Sequence, residues 1–185
     1  LAGLVSSKKW DGSWGPLADE ETVRRIDSRL AKEIPKDKMV VAIHPGTSNP
    51  AKRWDGEKFL EICQRLARGG RYAPVLIGGS EETAISREVV RRCEEPVTDW
   101  TGVLSLKELA AFLGLSRVKT LVSCDSGPVH VAWIQGKPVV ALFAKNIRGS
   151  DPLRWGPRSP GSIAIHKNIQ DITADEVYAA LCGVL

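Results

Sequence analysis

Residues 121–143, LVSCDSGPVHVAWIQGKPVVALF, hold the pattern that decides the fold. An apolar run of β type ends in the turn DSG, Pro128 suits the first turn of a helix, and Gly136 precedes a second apolar run. The stretch therefore predicts a strand, a short helix over 128–135 and another strand over 138–143. Strands that are joined through a helix lie parallel in one sheet.

The same alternation continues on both sides of this stretch. Apolar runs of β type occur at 39–44 (MVVAIH), 73–79 (APVLIGG) and 162–166 (SIAIH). Segments with helical periodicity separate them, one of which opens with a capping box of Ser105 and Glu108. Continuous Val, Ile and Leu runs with helices between them predict a parallel sheet that is covered on both faces. The predicted fold class is α/β, doubly wound and Rossmann-like.

One main domain is expected in a chain of 185 residues. Residues 19–34 form an apolar helical stripe with acidic residues in the first turn, and they precede the first apolar run. We therefore expect an irregular lead-in and a connector helix over 1–37, followed by a Rossmann-like domain over 38–185.

The composition excludes several classes of protein. With 43% hydrophobic and 26% charged residues the chain is typical of soluble globular proteins, and its net charge of +4 is scattered, so no nucleic-acid partner is expected. No apolar run approaches the roughly 20 residues that span a bilayer, and no signal-peptide pattern opens the chain. The four cysteines lack metal-ligand spacing, and we interpret them as reduced core thiols of a cytosolic protein.

The loop after the first apolar run, HPGTSNPAKRWDG at 44–56, contains groups that bind phosphate. Small polar side chains precede Lys52 and Arg53, which lie near the start of the next helix. A cation and backbone N–H groups at a helix N-terminus suit a phosphate. In the alternative interpretation Lys52 and Arg53 are solvated surface charges, and the loop alone leaves both interpretations open.

The loop after the second apolar run reads GGSEE at 78–82. Its glycines permit a sharp turn or the close approach of a ligand, and Glu81 or Glu82 can accept hydrogen bonds from ribose or sugar hydroxyls. The alternative is that both glutamates only favour a helix N-terminus.

The turn in the opening stretch predicts an anion site. The N–H groups of Ser126 and Gly127, with the Ser126 hydroxyl, are expected at the positive end of a helix. His130 is close enough to donate to the same ligand, although a lone histidine at this place is more often structural. Asp125 would repel a phosphate, so we assign it a positioning role.

The loop after the next apolar run, AKNIRGSDPLRWGP at 144–157, has no defined motif. Long loops at this edge of a sheet are often lids, and its role stays open. Neither GxGxxG nor GxxxxGK[ST] occurs in the chain, so an NAD enzyme or a P-loop NTPase is not expected.

Four segments taken in order, HPGTSNPAKRW, VLIGGSEE, TGVLSLKELAAFL and LVSCDSGPVHVAWIQGKPVVALF, resemble the donor-binding half of glycosyltransferase family 9. That family contains the ADP-heptose:lipopolysaccharide heptosyltransferases. The resemblance covers 39–144 well and extends more loosely to the C-terminus. It implies the two-domain GT-B fold, in which an N-terminal domain binds the acceptor and a C-terminal Rossmann-like domain binds the nucleotide-sugar.

The resemblance implies donor-binding roles for a set of residues on these loops. Its members are Thr47, Ser48, Lys52, Glu81 or Glu82, Thr101, Gly102, Ser126, Gly127 and His130. In the family a lysine contacts the donor phosphates, with hydroxyl groups nearby, and a turn followed by a histidine binds the diphosphate. The glutamates fall near the position that binds donor hydroxyls, and Thr101 and Gly102 fall near the adenosine. Asp125 completes the predicted site.

The resemblance also implies a reaction. It is the inverting transfer of a heptose from ADP-heptose to a lipopolysaccharide core acceptor, without a metal or other cofactor. The carboxylate of an acidic residue acts as the base that removes the acceptor proton. Lys52 and His130 are expected to act catalytically by stabilising the departing ADP.

Two departures from the family limit this expectation. Family members often have glycine where Ala144 follows the apolar run, so no function is predicted for 144–157. The chain shows no counterpart of the N-terminal acceptor domain, which carries the acidic base, so we expect it to bind donor without completing catalysis. The parent protein is expected in the cytoplasm, at the inner face of the cytoplasmic membrane.

Two other functions compete with this one. Ser126, Asp151 and His166 follow the chain order of a serine hydrolase, although Cys124 and Pro128 depart from the GxSxG motif. A binding module that kept a nucleotide-sugar site without transfer activity is the second alternative.

Overall fold

The computed structural model describes residues 17–185, in which six strands form one sheet. The strands are β1 (Met39–His44), β2 (Tyr72–Leu76), β3 (Thr98–Asp99), β4 (Val118–Cys124), β5 (Val139–Ala144) and β6 (Ile163–Lys167). They are all parallel and lie in the order β3-β2-β1-β4-β5-β6. From β1 the chain fills one half of the sheet, and at β4 it crosses to fill the other half. The boundary between β1 and β4 is therefore the topological switch point, where doubly wound sheets bind ligands.

Seven α-helices accompany the strands within residues 17–185. They are α1 (Glu20–Glu33), α2 (Gly56–Arg68), α3 (Thr83–Arg92), α4 (Leu106–Gly114), α5 (Gly127–Ile134), α6 (Pro152–Trp155) and α7 (Ala174–Val184). Asp19 and Asp55 cap α1 and α2 through their side chains, and Ser105 caps α4 in the predicted capping box with Glu108. These side chains accept hydrogen bonds from backbone N–H groups of the first turn, which have no acceptor within the helix. This explains why the helices begin at these residues.

The period-2 alternation of each buried strand divides the core between the two faces of the sheet. Val40 and Ala42 pack on one face with α1, α4 and α5. Val41 and Ile43 pack on the other face with α2, α3 and α7. The doubly wound α/β fold predicted from the sequence is confirmed.

The structure adds elements that the sequence did not predict. Strand β3 has only two residues, Thr98 and Asp99, which pair with Val75 and Leu76 of β2. Neither residue is apolar, so no apolar run marks this strand in the sequence. A 3-10 turn at Ser80–Glu82 leads directly into α3. The long loop after β5 contains the short helix α6.

Helix α1 is anchored on the sheet domain. Ile26 and Leu30 are buried in the core shared with α4, and Arg25 forms an ion pair with Glu108 at 2.7 Å. Val23, on the same apolar stripe of α1, packs at the edge of this core. Most of the predicted irregular lead-in, residues 1–16, lies outside the described residues.

The cysteines are free thiols, but not all of them are core residues. Cys63 and Cys124 are buried, whereas Cys93 is half-buried and Cys182 is exposed, so the prediction of four core thiols was wrong for these last two. Burial raises the pKa of the Cys124 thiol to about 12. Over 17–185, no helix combines the length and the apolar character needed to cross a bilayer.

Candidate functional site

Two loops meet at the carboxyl ends of β1 and β4. Lys52 Nζ donates to Asp125 Oδ2 at 2.7 Å, and only 18% and 10% of these two side chains are exposed. Lys52 ends a 3-10 turn that Pro50 starts and Asn49 caps by accepting from Ala51 N at 3.0 Å. The lysine is therefore held at the switch point, which excludes the interpretation of Lys52 as a solvated surface charge.

The two hydroxyl residues of the β1 loop differ in their surroundings. Thr47 is buried, and its Oγ1 donates to the backbone oxygen of Asp125 at 3.4 Å and accepts from Asn49 N at 3.5 Å. Ser48 is exposed at the same edge. Thr47 thus ties the β1 loop to the β4 loop, while the Ser48 hydroxyl faces solvent.

The N-terminus of α5 forms the other wall of the site. Ser126 is the N-cap residue, but its side chain does not cap the helix, and Pro128 occupies the first turn. The first backbone N–H groups of the helix therefore lack an intrahelical acceptor. Gly127 is exposed, and a Cβ there would meet no atom within 4 Å. This open, positive helix end is suited to an anion.

A buried histidine, His44, lies beneath this turn and was not among the site residues predicted from the sequence. His44 Nδ1 is 3.0 Å from Ser123 Oγ and 3.2 Å from Ser126 Oγ, and the two serine oxygens are 2.8 Å apart. Burial lowers the pKa of His44 from 6.5 to about 4, so the ring is neutral near pH 7. The signal available in the sequence was a histidine at the last position of an otherwise apolar strand.

His130 lies one turn into α5, between two tryptophans. Its Nδ1 accepts from Trp133 Nε1 at 3.3 Å, and its ring is 6.2 Å from that of Trp155 in an edge arrangement. An Nδ1 that accepts a hydrogen bond places the proton of the neutral ring on Nε2. His130 is thereby prepared to donate from Nε2.

The structure distinguishes the two candidate glutamates. Glu82 is buried, and its Oε2 accepts from Gly79 N at 2.7 Å. Its carboxylate also packs so closely on Gly46 that a Cβ at this position would overlap Glu82 Oε1. Glu81 is exposed. Of the two, Glu82 is the one that lies between the β1 and β2 loops.

Thr101 and Gly102 follow β3 and border the β2 loop. Thr101 Oγ1 donates to Ser86 Oγ at 2.8 Å, so this buried hydroxyl is used within the protein. Gly102 adopts a φ of 75° and donates from its N–H to the oxygen of Gly78 at 2.9 Å. A side chain at position 102 would strain this left-handed conformation.

A cleft of about 280 Å³ lies between the β2 loop and the N-terminal ends of α4 and α5. Its lining consists of His44, Gly78, Gly79, Leu104, Leu106, Leu109 and Pro128. The cleft is mainly apolar, it borders the α5 turn, and its polar side-chain group is the imidazole of His44. A mainly apolar cleft with a few polar groups has the character of a small-molecule site.

The hydrolase alternative is not supported by the geometry. The hydrogen-bond partners of the Ser126 hydroxyl are His44 and Ser123. His166 is exposed on β6, which β5 separates from β4, and Asp151 caps α6 by accepting from Leu153 N. The three residues of the proposed triad are therefore not brought together.

Comparison with known proteins places the chain among glycosyltransferases. The sequence profile of glycosyltransferase family 9 (heptosyltransferase) matches residues 10–178. The chain is 31% identical over 160 residues to the lipopolysaccharide core heptosyltransferase OpsX of Haemophilus influenzae, an alignment that covers 85% of this chain and 43% of OpsX. It is 26% identical to lipopolysaccharide heptosyltransferase 2 of Salmonella typhimurium, covering 90% of this chain and 51% of the relative.

Solved structures show the same fold. A family 9 glycosyltransferase from Veillonella parvula superposes with a TM-score of 0.82 at 26% identity, covering 90% of this chain and 52% of the other. The ADP-heptose lps heptosyltransferase II of E. coli superposes with a TM-score of 0.76 at 22% identity, with the same coverage. The chain thus spans about half the length of the relatives that it matches.

Proposed function

The chain belongs to glycosyltransferase family 9, and from this premise we propose that it is the donor-binding part of a heptosyltransferase. The donor is ADP-heptose, and the parent protein transfers the heptose, with inversion and without a metal or other cofactor, to a lipopolysaccharide core acceptor. Heptose and ADP are chosen because they are the family's typical donor components.

One observation carries the proposal. A positioned cation, Lys52, and the open N-terminus of α5 converge at the switch point, next to an apolar cleft. In this arrangement Lys52 and the N–H groups of Ser126 and Gly127 bind the donor diphosphate. The apolar cleft takes the nucleoside, with the Thr101–Gly102 turn at its edge.

The leaving group receives its charge during the transfer. When the bond from the sugar to the diphosphate breaks, negative charge develops on ADP, and Lys52 and the Nε2–H of His130 stabilise it. Because these groups are held in place before the reaction, no rearrangement is needed when the charge appears. Glu82 binds donor hydroxyls, and Ser48 contacts the phosphates.

Asp125 keeps Lys52 in position although it has the wrong charge for the ligand. The ion pair at 2.7 Å holds the flexible lysine side chain between the two loops. The Lys52 ammonium group has three N–H donors, so it can contact Asp125 and the diphosphate together when the donor is bound. This is the positioning role expected for Asp125.

The remaining parts of the reaction belong to the parent protein. An N-terminal acceptor domain supplies the carboxylate base that removes the acceptor proton, and residues 1–37 connect that domain to the sheet domain over 38–185. The parent acts in the cytoplasm, at the inner face of the membrane that holds its glycolipid acceptor.

Calorimetric titration of this chain with ADP tests the donor site. We expect binding that weakens by about 30-fold in Lys52→Ala, because a charge-assisted contact to phosphate is lost. The matched control, Lys145→Ala, removes an exposed lysine from the loop after β5 and should bind ADP as the wild type does. Absence of binding by any purine nucleotide or nucleotide-sugar would contradict the proposal.

The binding-module alternative requires a second measurement. It predicts the same titration but no transfer of heptose from ADP-heptose to a lipopolysaccharide core acceptor by the full-length parent. Transfer by the parent, lost in Lys52→Ala, would support the enzyme.

A further inference from the structure

The hydroxyl of Ser123 has more neighbours than it has protons. It is fully buried and donates to the backbone oxygen of Cys124 at 2.9 Å. The same oxygen lies 3.0 Å from His44 Nδ1 and 2.8 Å from Ser126 Oγ. A carbonyl oxygen can only accept, so Ser123 is the donor in its contact with Cys124. While its one proton is used there, Ser123 accepts from His44 and from Ser126.

This proton count determines the tautomer of His44. A neutral imidazole carries one N–H, and burial keeps this ring neutral near pH 7. If the proton were on Nε2, the contact between His44 Nδ1 and Ser123 Oγ would join two acceptors. With the proton on Nδ1, His44 donates to Ser123, and all the contacts of this buried group are satisfied.

The same arrangement sets the orientation of Ser126. Ser126 Oγ is 3.2 Å from His44 Nδ1 and 2.8 Å from Ser123 Oγ. At the first of these distances it can accept from the same His44 N–H. The Ser123 proton is bonded to the Cys124 oxygen, and the His44 N–H is bonded to Ser123. The Ser126 proton can turn to a ligand without breaking either of these hydrogen bonds. Its oxygen remains held by the His44 N–H when this happens.

We propose that His44 is a positioning residue that, as the Nδ1–H tautomer, holds Ser123 and Ser126 so that the Ser126 hydroxyl donates to a diphosphate at the N-terminus of α5. This role rests on the proposed function, because it presumes a diphosphate at that helix end. His44 itself does not touch the phosphates.

Nitrogen-15 NMR of the histidine-labelled chain tests the tautomer independently of any ligand. The chain has three histidines, and His130 is the internal control, because its Nδ1 accepts from Trp133 and its proton is on Nε2. We expect opposite tautomers for the two rings at pH 7.5, with a protonated Nδ1 in His44. A protonated Nε2 in His44 would overturn the proposal, even if the chain binds no nucleotide.

Titrations with ADP and with adenosine test the consequence for the ligand. In His44→Leu we expect ADP affinity to fall about tenfold while adenosine affinity changes less than twofold, because only the phosphate contact of Ser126 is disturbed. His44→Asn should retain ADP affinity within about threefold, since its amide N–H can take the place of Nδ1–H. The control His166→Leu, on exposed β6, should match the wild type.

The outcomes separate three cases. Equal losses for ADP and adenosine in His44→Leu would show that the ring is only a wall of the cleft, and unchanged ADP affinity would show that it has no role; each result overturns the proposal. If His44→Leu does not fold, a loss of more than tenfold in His44→Asn overturns it. Failure of the wild type to bind ADP refutes the proposed function alone.

Discussion

Two regions at the same edge of the sheet have opposite surroundings. At the switch point, the side chains of Lys52, Asp125 and Thr47 are largely buried. Lys52 donates to the Asp125 carboxylate, and Thr47 donates to the Asp125 backbone oxygen. In the loop after β5, by contrast, Leu153 is 86% exposed and Trp155 is 41% exposed. The switch point is organised internally before a ligand arrives, whereas the loop after β5 presents its side chains to its surroundings.

The positions of the strands explain the difference. β1 and β4 are central strands, so the loops that leave them are surrounded by neighbours and must satisfy each polar group that they bury. The loop after β5 borders the edge strand β6 and is held mainly by its base, where Ser150 Oγ accepts from Ala144 N at 3.1 Å. Substitutions should therefore destabilise the protein at the switch point and be tolerated in the loop after β5.

Among substitutions at the switch point, the largest effect is expected for Gly46→Ala. The new Cβ would overlap the buried carboxylate of Glu82 and displace it from Gly79 N, at a cost of about 2–3 kcal/mol in the free energy of unfolding. Denaturant titration measures the loss. In Gly46→Ala/Glu82→Ala the overlap is absent, so the second substitution should recover stability; a purely additive pair would refute the close contact.

The next effect concerns pH. Because burial lowers the pKa of His44 from 6.5 to about 4, the unfolded state binds more protons than the folded state between these values. This contribution to stability is complete above pH 6.5 and declines as the pH falls towards 4. We expect the wild type to lose about 2 kcal/mol more between pH 7 and pH 5 than His44→Asn does. Parallel stability curves for the two proteins would contradict a buried neutral ring.

A smaller effect is expected when the same substitution is made in both loops. Asp125→Asn removes the charge that pairs with Lys52 and should lower the free energy of unfolding by about 1–2 kcal/mol, between the values typical of exposed and of buried pairs. Asp151→Asn, which keeps a good N-cap for α6, should change it by less than about 0.5 kcal/mol. Equal losses in chemical denaturation would remove the distinction between the two loops.

The smallest effect is expected at Leu153. Its side chain is almost fully exposed, so Leu153→Ala should change the free energy of unfolding by less than about 0.5 kcal/mol. Leu142→Ala, the same substitution at a fully buried position of β5, should cost about 2–5 kcal/mol. A large loss in Leu153→Ala would mean that the loop packs more closely than its exposure indicates.

Much of the fold was predictable because its signals are local. Apolar runs of the right length, the capping boxes of α4 and α7, and the Gly and Pro residues at the turns determined the strands, the helices and the doubly wound class. Since all strands are parallel, the same signals placed Lys52, Ser126 and His130 at one edge of the sheet. The sequence by itself therefore placed these residues together at the candidate site.

The tertiary structure alone decided which side chains in that site contact one another. The pairs Lys52–Asp125 and His44–Ser123 join residues 73 and 79 positions apart, and the order of β1 and β4 in the sheet brings them together. Local periodicity carries no information about that order. Burial, which made His44 neutral, depends on neighbours from the whole fold, and for this reason its contacts with Ser123 and Ser126 beneath the N-terminus of α5 were visible only in three dimensions.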